Sequence, residues 1–220
     1  MTKNAETAET VRFRGMIRIL FVCHGNICRS PIGEFIMKDI VNKQGLSEAF
    51  YIESAATSTE EIWHGVGNPI YPPAKAKLLQ YGIGTPENEL GVKDKRARQT
   101  TKNDYDKFDF LIGMDFANIR NMTRIYGGDP EGKIFKMLDF ADNRKEYGTG
   151  YSADVADPWY TGDFDATWRD VSDGCHGLFR RILTDSRFSE ILSNADRKSE
   201  DSFSWQEPDY GRTYDDFPRG

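Results

Sequence analysis

The sequence predicts an α/β domain, a parallel sheet covered by helices on both faces, and three observations carry that reading. Four short apolar runs alternate along the chain with segments of helical period. Each run is bounded by Gly, Asp or a charged residue, as buried strands commonly are. The 220 residues, 38% hydrophobic and 13% aromatic, are enough to close one sizeable core.

The elements follow in order. Met1 to Gly15 is polar and aperiodic and reads as a flexible arm (residues 1–15) ahead of a single domain over residues 16–194. Ile17 to Val22 reads as the first strand. Pro31 to Val41 reads as a helix with Ser30 as N-cap and Pro31 at its first position, where a missing N–H costs nothing. Tyr51 to Ala55, Phe110 to Met114 and Ile134 to Leu138 are the remaining strands, and Pro73 to Tyr81 and Phe116 to Tyr126 are helices between them. Asp163 to Leu192 reads as one last helix, in which Phe164, Trp168, Val171, Cys175, Leu178, Phe179 and Ile182 form a buried stripe at spacings of three and four. Residues 195–220 form an acidic tail with seven acids against four bases, and with five aromatics from Phe203 to Phe217.

Charge and cysteine usage exclude several classes. Lys and Arg number 29 against 35 Asp and Glu, a net charge of −6 without a long basic stripe, which argues against nucleic-acid or membrane-surface binding. Three cysteines are too few for a disulfide framework and suit a reducing compartment. The apolar run Ile19 to Val22 after Arg12, Arg14 and Arg18 is too short for a secretory signal, and no stretch approaches a membrane span, so the expected location is the cytoplasm.

Chemistry concentrates in Cys23-His24-Gly25-Asn26-Ile27-Cys28-Arg29-Ser30-Pro31. A cysteine ends a strand, a loop follows, and an arginine stands where a helix begins. Loop N–H groups and the helix N-terminus together make a cradle for a phosphate dianion. Arg29 can grip two oxygens with its planar fork, and the same field favours the thiolate of Cys23, a nucleophile placed beneath a bound phosphorus. Gly25 and Asn26 tolerate left-handed backbone inside such a loop. Taken alone, a cysteine after a buried strand is a small core residue and Asp157-Pro158 is a turn. Asp157 stands beside Trp159 and Tyr160, however, whose rings can partly desolvate a carboxyl and favour its protonated form. Breaking an aryl phosphate needs such a proton on the leaving oxygen.

The segment Val22 to Pro31 resembles the signature of the low-molecular-weight protein tyrosine phosphatases, of bacterial type. Ser54 to Ser58, Ala97-Arg98-Gln99, Met114-Asp115 and Asp157 to Tyr160 are similar to further family blocks in the same order. The resemblance implies a single-domain three-layer α/β/α fold with a four-stranded parallel sheet, hydrolysing protein phosphotyrosine with no cofactor and no metal. It implies Cys23 as nucleophile, Arg29 as phosphate ligand and Asp157 as general acid and base. His24, Gly25, Asn26, Ile27, Cys28 and Ser30 complete the phosphate loop, with Ser30 stabilising the thiolate and Ser54 bonded to Asn26. Trp63, Trp159 and Tyr160 would contact the substrate ring. Cys28 would form a reversible disulfide with Cys23 under peroxide.

The expected partners are a phosphotyrosine-containing protein, a bacterial tyrosine kinase among the candidates, and phosphate as product inhibitor. His24 stands where the family is commonly apolar, where its ring can tune phosphate binding with pH. Lys95 stands where many members carry a histidine that supports Asn26, a neutral acceptor that lysine cannot replace in kind. Three alternatives remain. An arsenate reductase needs a cysteine relay, for which Cys175 on the core stripe lacks a partner; an arginine phosphatase would carry threonine at Ile27; a non-catalytic phosphotyrosine-binding module would not need Cys23, Arg29 and Asp157 together. Gly127 to Lys133 has the spacing of a nucleotide-binding loop, but leads into a strand and lacks the following Ser or Thr.

Overall fold

The computed structural model describes residues 15–142 and 154–196. It opens with β1 (Ile17–Cys23), turns directly into α1 (Arg29–Lys43), and returns through a short 3-10 turn to β2 (Phe50–Ala56). A small hairpin, β3 (Ile62–Trp63) and β4 (Val66–Gly67), precedes α2 (Pro72–Gln80). Then come α3 (Lys102–Lys107), β5 (Phe110–Gly113), α4 (Phe116–Tyr126) and β6 (Ile134–Lys136), followed by α5 (Pro158–Thr161), α6 (Phe164–Thr184) and α7 (Ser189–Asp196).

The four long strands form one parallel sheet of order β2-β1-β5-β6. Because β1 is interior, its alternate side chains feed two cores. Ile17, Ile19, Phe21 and Cys23 join the side packed by α1 and α6, whereas Leu20 and Val22 join Tyr105, Phe108, Met122 and Tyr126 on the side of α3 and α4. The three-layer α/β/α expectation therefore holds. α1 lies close over β1 because Gly33 has no Cβ; one placed there would stand 2.9 Å from the Phe21 ring.

Several boundaries differ from the sequence reading, each for a local reason. α1 begins at Arg29, with Cys28 at the N-cap position, so Ser30 lies inside the first turn and does not cap it. The Ser30 hydroxyl is engaged with Cys23. The last helix is two helices: Asp185 adopts extended backbone and accepts the Arg187 N–H, ending α6 before α7 starts. The apolar period runs through this break because Phe188, Ile191 and Leu192 still pack on the core. The fourth strand stops at Lys136, and Met137 to Asp139 turn as a 3-10 segment. α3 and the β3–β4 hairpin are too short for periodicity to reveal. The arm through residue 14 and the aromatic tail from residue 197 lie outside the described residues.

Candidate active site

Cys23 ends β1 at the carboxyl edge of the sheet, and the loop behind it folds back so that a backbone N–H reaches the sulfur. The Asn26 N–H donates to Cys23 Sγ at 3.3 Å, and Ser30 Oγ stands 3.1 Å from the same atom. The turn requires a left-handed residue at Asn26, φ 59°, and its buried side chain locks that conformation. Asn26 Nδ2 donates to Ser30 Oγ at 2.9 Å and to Ser54 Oγ at 2.7 Å, while its Oδ1 accepts the Arg98 N–H at 3.1 Å.

Beneath this contact runs an ionic chain. Ser54 Oγ donates to Glu34 Oε2 at 2.6 Å, and Glu34 is held by Lys95 at 2.9 Å and Lys38 at 2.6 Å. Lys95 also donates to the Ser54 carbonyl at 3.0 Å. Burial alone would raise the Glu34 pKa, but Lys95 first, then Lys38 and Ser54, hold it below the ordinary value. Burial lowers the Lys95 pKa, offset in part by Glu34. The carboxylate only accepts, so the single Ser54 hydrogen goes to Glu34 and Ser54 must accept from Asn26. Ser30, which accepts from Asn26, turns its one hydrogen to the Ala55 carbonyl at 3.3 Å or to the Cys23 sulfur at 3.1 Å. Lys95 thus supports the loop as a donor through Glu34.

Arg29 is almost wholly buried and faces two carboxylates. Its Nη1 meets Asp115 Oδ2 at 2.7 Å and the Val155 carbonyl at 3.3 Å, and its Nη2 meets Asp157 Oδ2 at 2.5 Å. Burial opposes the guanidinium charge, yet Cys23, Asp157 and Asp115 outweigh it and raise the pKa above its ordinary value. Both acids are helix N-caps: Asp115 accepts the Asn118 N–H opening α4, and Asp157 accepts the Trp159 N–H opening α5. Asp115 escaped the sequence reading as a site residue because an acid at a strand end before a helix reads fully as a cap. Glu34 escaped it because a lone acid within a helix reads as solvent-facing.

These groups enclose a cavity of about 310 Å³. Cys23, His24, Gly25, Ile27, Cys28 and Arg29 line it together with Asp115, Asp157, Trp159 and Tyr160, while Asn26, Ser30 and Ser54 lie in the layer beneath. Trp63 does not line it; the lining residues on that side are Glu60 and Glu61, just before the hairpin that carries Trp63. Trp159 is braced by Tyr71, with ring centres 5.3 Å apart. His24 Nε2 pairs with Glu60 at 2.9 Å on the rim. All three cysteines are free. Burial first, then the charges of Cys23 and Asp157, pushes the Cys28 thiol up to about 12. Cys175 is core, as its place on the stripe implies. Among the described residues no three His, Cys, Asp or Glu side chains gather in a way that could hold a metal ion, and no helix is long and apolar enough to cross a membrane.

Comparison with known proteins places the chain beside one group of phosphatases. A family model described as low molecular weight phosphotyrosine protein phosphatase matches residues 18–187. The chain is 35% identical over 167 residues to the low molecular weight protein-tyrosine-phosphatase YfkJ of Bacillus subtilis, covering 76% of this chain and 96% of that one. The crystal structure of YfkJ superposes with a TM-score of 0.67 at 33% identity, covering 78% of this chain and 97% of that one. The low molecular weight protein tyrosine phosphatase of Streptococcus pyogenes superposes with a TM-score of 0.61 at 35% identity, covering 80% of this chain and 98% of that one.

Proposed function

The chain belongs to the low molecular weight phosphotyrosine protein phosphatase family, and from that premise we propose that it hydrolyses protein phosphotyrosine through a phosphocysteine on Cys23. The observation that carries this assignment of roles is the convergence of Cys23, Arg29 and Asp157 on one cavity, with Ser30 aimed at the sulfur.

An arriving phosphate dianion competes with Asp115 and Asp157 for the Arg29 fork, which frees Asp157 to face the leaving oxygen. The Cys23 thiolate then attacks phosphorus; the S–P bond forms as the P–O bond to the ring breaks. Asp157 delivers its proton to the leaving phenolic oxygen. In the second step Asp157 takes a proton from water, the water oxygen attacks phosphorus, and the S–P bond breaks to return the thiolate. Ser30 stabilises the thiolate at both ends of the cycle, and Arg29 holds the equatorial oxygens throughout. Trp159 and Tyr160 flank the phenyl ring.

The substrate on this reading is a phosphotyrosine-bearing protein, a bacterial tyrosine kinase among the candidates, met in the reducing cytoplasm that three free thiols suit. Phosphate, the product, fits the same cradle and inhibits competitively. Ile27, which lines the cavity, favours the aryl ester over phosphoarginine. Rates of phosphate release from a phosphotyrosine and a phosphoarginine peptide, with chelator present, test the reading. Phosphotyrosine is expected to be the better substrate; a strong preference for phosphoarginine would reject the specificity, and release from neither would reject the activity.

A further inference from the structure

Asp157 must change partners during the reaction. Its Oδ2 holds Arg29 and its Oδ1 accepts the Trp159 N–H, yet the leaving oxygen needs that carboxyl once phosphate has taken the Arg29 fork. Such a handover is productive when the side chain turns on a backbone that stays, because a misplacement of about 1 Å at a reacting group can cost on the order of 10²-fold in rate. On its C-terminal side Asp157 is restricted by Pro158, and it takes extended backbone as a residue before proline does. The N-terminal side is held by contacts that lie outside the cavity.

Residues 154–156 are tied one after another to different elements. Asp154 Oδ1 accepts the Phe116 N–H at 3.2 Å, at the first residue of α4, and Lys136 Nζ of β6 at 2.9 Å. The Val155 N–H donates to the Met114 carbonyl at 2.9 Å, just past β5, and the Val155 side chain is buried. Thr167 of α6 turns its one hydrogen to the Ala156 carbonyl at 3.3 Å or to the Asp163 carbonyl at 3.1 Å.

The tie at Asp154 is ionic, and both its partners belong to the frame that carries the rest of the site. Lys136 lies opposite Gly113 in the parallel pairing of β5 and β6, and Phe116 follows Asp115, the other carboxylate on Arg29. Asp154 therefore meets the N-terminus of α4, where free N–H groups and the helix dipole favour an anion. A surface ion pair by itself fixes little. Here the same carboxylate oxygen also holds a helix N–H, and both side chains are partly buried, so the pair sets a position and is screened less than an exposed one.

We propose that Asp154, held by Lys136, is a positioning residue for the general acid: the pair fixes the backbone ahead of Asp157, so that the carboxyl passes from Arg29 to the leaving oxygen by turning its side chain alone. Neither Asp154 nor Lys136 lines the cavity, so both act through the loop. This rests on the phosphocysteine reading, in which Asp157 protonates that oxygen. The test compares kcat/KM of the full chain for phenyl phosphate, whose phenolate leaves poorly without a proton, and para-nitrophenyl phosphate, whose leaving group needs little help. A smaller folded fraction scales both rates alike and cannot move their ratio. Asp154→Ala is expected to lower kcat/KM for phenyl phosphate by about tenfold and for para-nitrophenyl phosphate by less than about threefold. Lys136→Gln leaves Asp154 on the Phe116 N–H and is expected to shift the ratio the same way by about twofold. An unchanged ratio in Asp154→Ala, or in Lys136→Gln should the first variant not fold, overturns the positioning role. Asp157→Ala separates that failure from failure of the underlying reading: it is expected to shift the ratio further than either variant, and if it leaves the ratio unchanged, Asp157 is not the acid and the positioning role falls with it.

Discussion

At and beneath the floor of the cavity Asn26, Arg29, Ser30, Glu34 and Ser54 are all buried, and every one of these side chains has at least two polar partners. On the rim His24, Glu60, Trp159 and Tyr160 stand in solvent, joined chiefly by the His24–Glu60 contact. The contrast teaches where chemistry and recognition reside. In low dielectric a polar network is strong only when complete, so the floor behaves as one unit that positions sulfur, hydroxyl and guanidinium together. The rim is a set of nearly independent contacts whose strength water and salt reduce.

The largest expected break of that contrast is at Asp157, which belongs to both regions. Asp157→Ala should slow hydrolysis of phosphotyrosine by about 10²–10⁴-fold while the chain stays folded, measured by steady-state phosphate release and circular dichroism. Next comes the ionic chain beneath the loop. Lys95→Met removes one of the two cations on a buried carboxylate and should cost about 3 kcal/mol in a denaturant melt. Glu34 has a depressed folded pKa, so its stabilisation is present above the ordinary carboxylate value and lost as pH falls through the lower folded one. Without Lys95 that acid loss should begin at a higher pH.

Smaller effects sharpen the other side. Trp159→Ala should raise KM for a phosphotyrosine peptide by about threefold to tenfold and leave kcat within about twofold, the signature of a wall that binds ground state and transition state alike. Asp170 on α6 supplies a contrary case, a buried carboxylate whose Oδ1 has no hydrogen-bond partner. Burial pushes its pKa up to about 6. The folded state therefore holds a proton that the unfolded state releases, and stability declines as pH rises from about 4 to 6. Asp170→Asn should gain about 1 kcal/mol above pH 6, discounted for partial solvent access, and nothing near pH 4, read from melts at both.

What the sequence made legible follows the same division. β1, β2, β5 and α4 stand out because alternation and helical period act over short range, and the cradle stands out because cysteine, arginine and a helix start are consecutive in the chain. Glu34 and Asp115 do not, and Lys95 stands out only as a departure from a histidine position, since their roles arise from contacts between residues far apart. Glu34 sits on a helix whose charged position turns inward only when β2 and the residue 95 loop pack on it. Lys95 cannot act as the neutral acceptor a histidine supplies, and the fold reverses the polarity: it donates to Glu34, which fixes the direction of every hydrogen up to Ser30. The break at Asp185 is hidden for another reason, an apolar period that persists through a change of axis.

The most direct measurement is to trap the phosphoryl group on the protein. Asp157→Ala mixed with para-nitrophenyl phosphate, whose leaving group needs little help from an acid, should accumulate one phosphoryl group, and mass spectrometry of the acid-quenched protein should find it on Cys23. Cys23→Ser should show neither the added mass nor turnover. A phosphoryl group on any other side chain, or turnover retained in Cys23→Ser, would contradict a phosphocysteine mechanism.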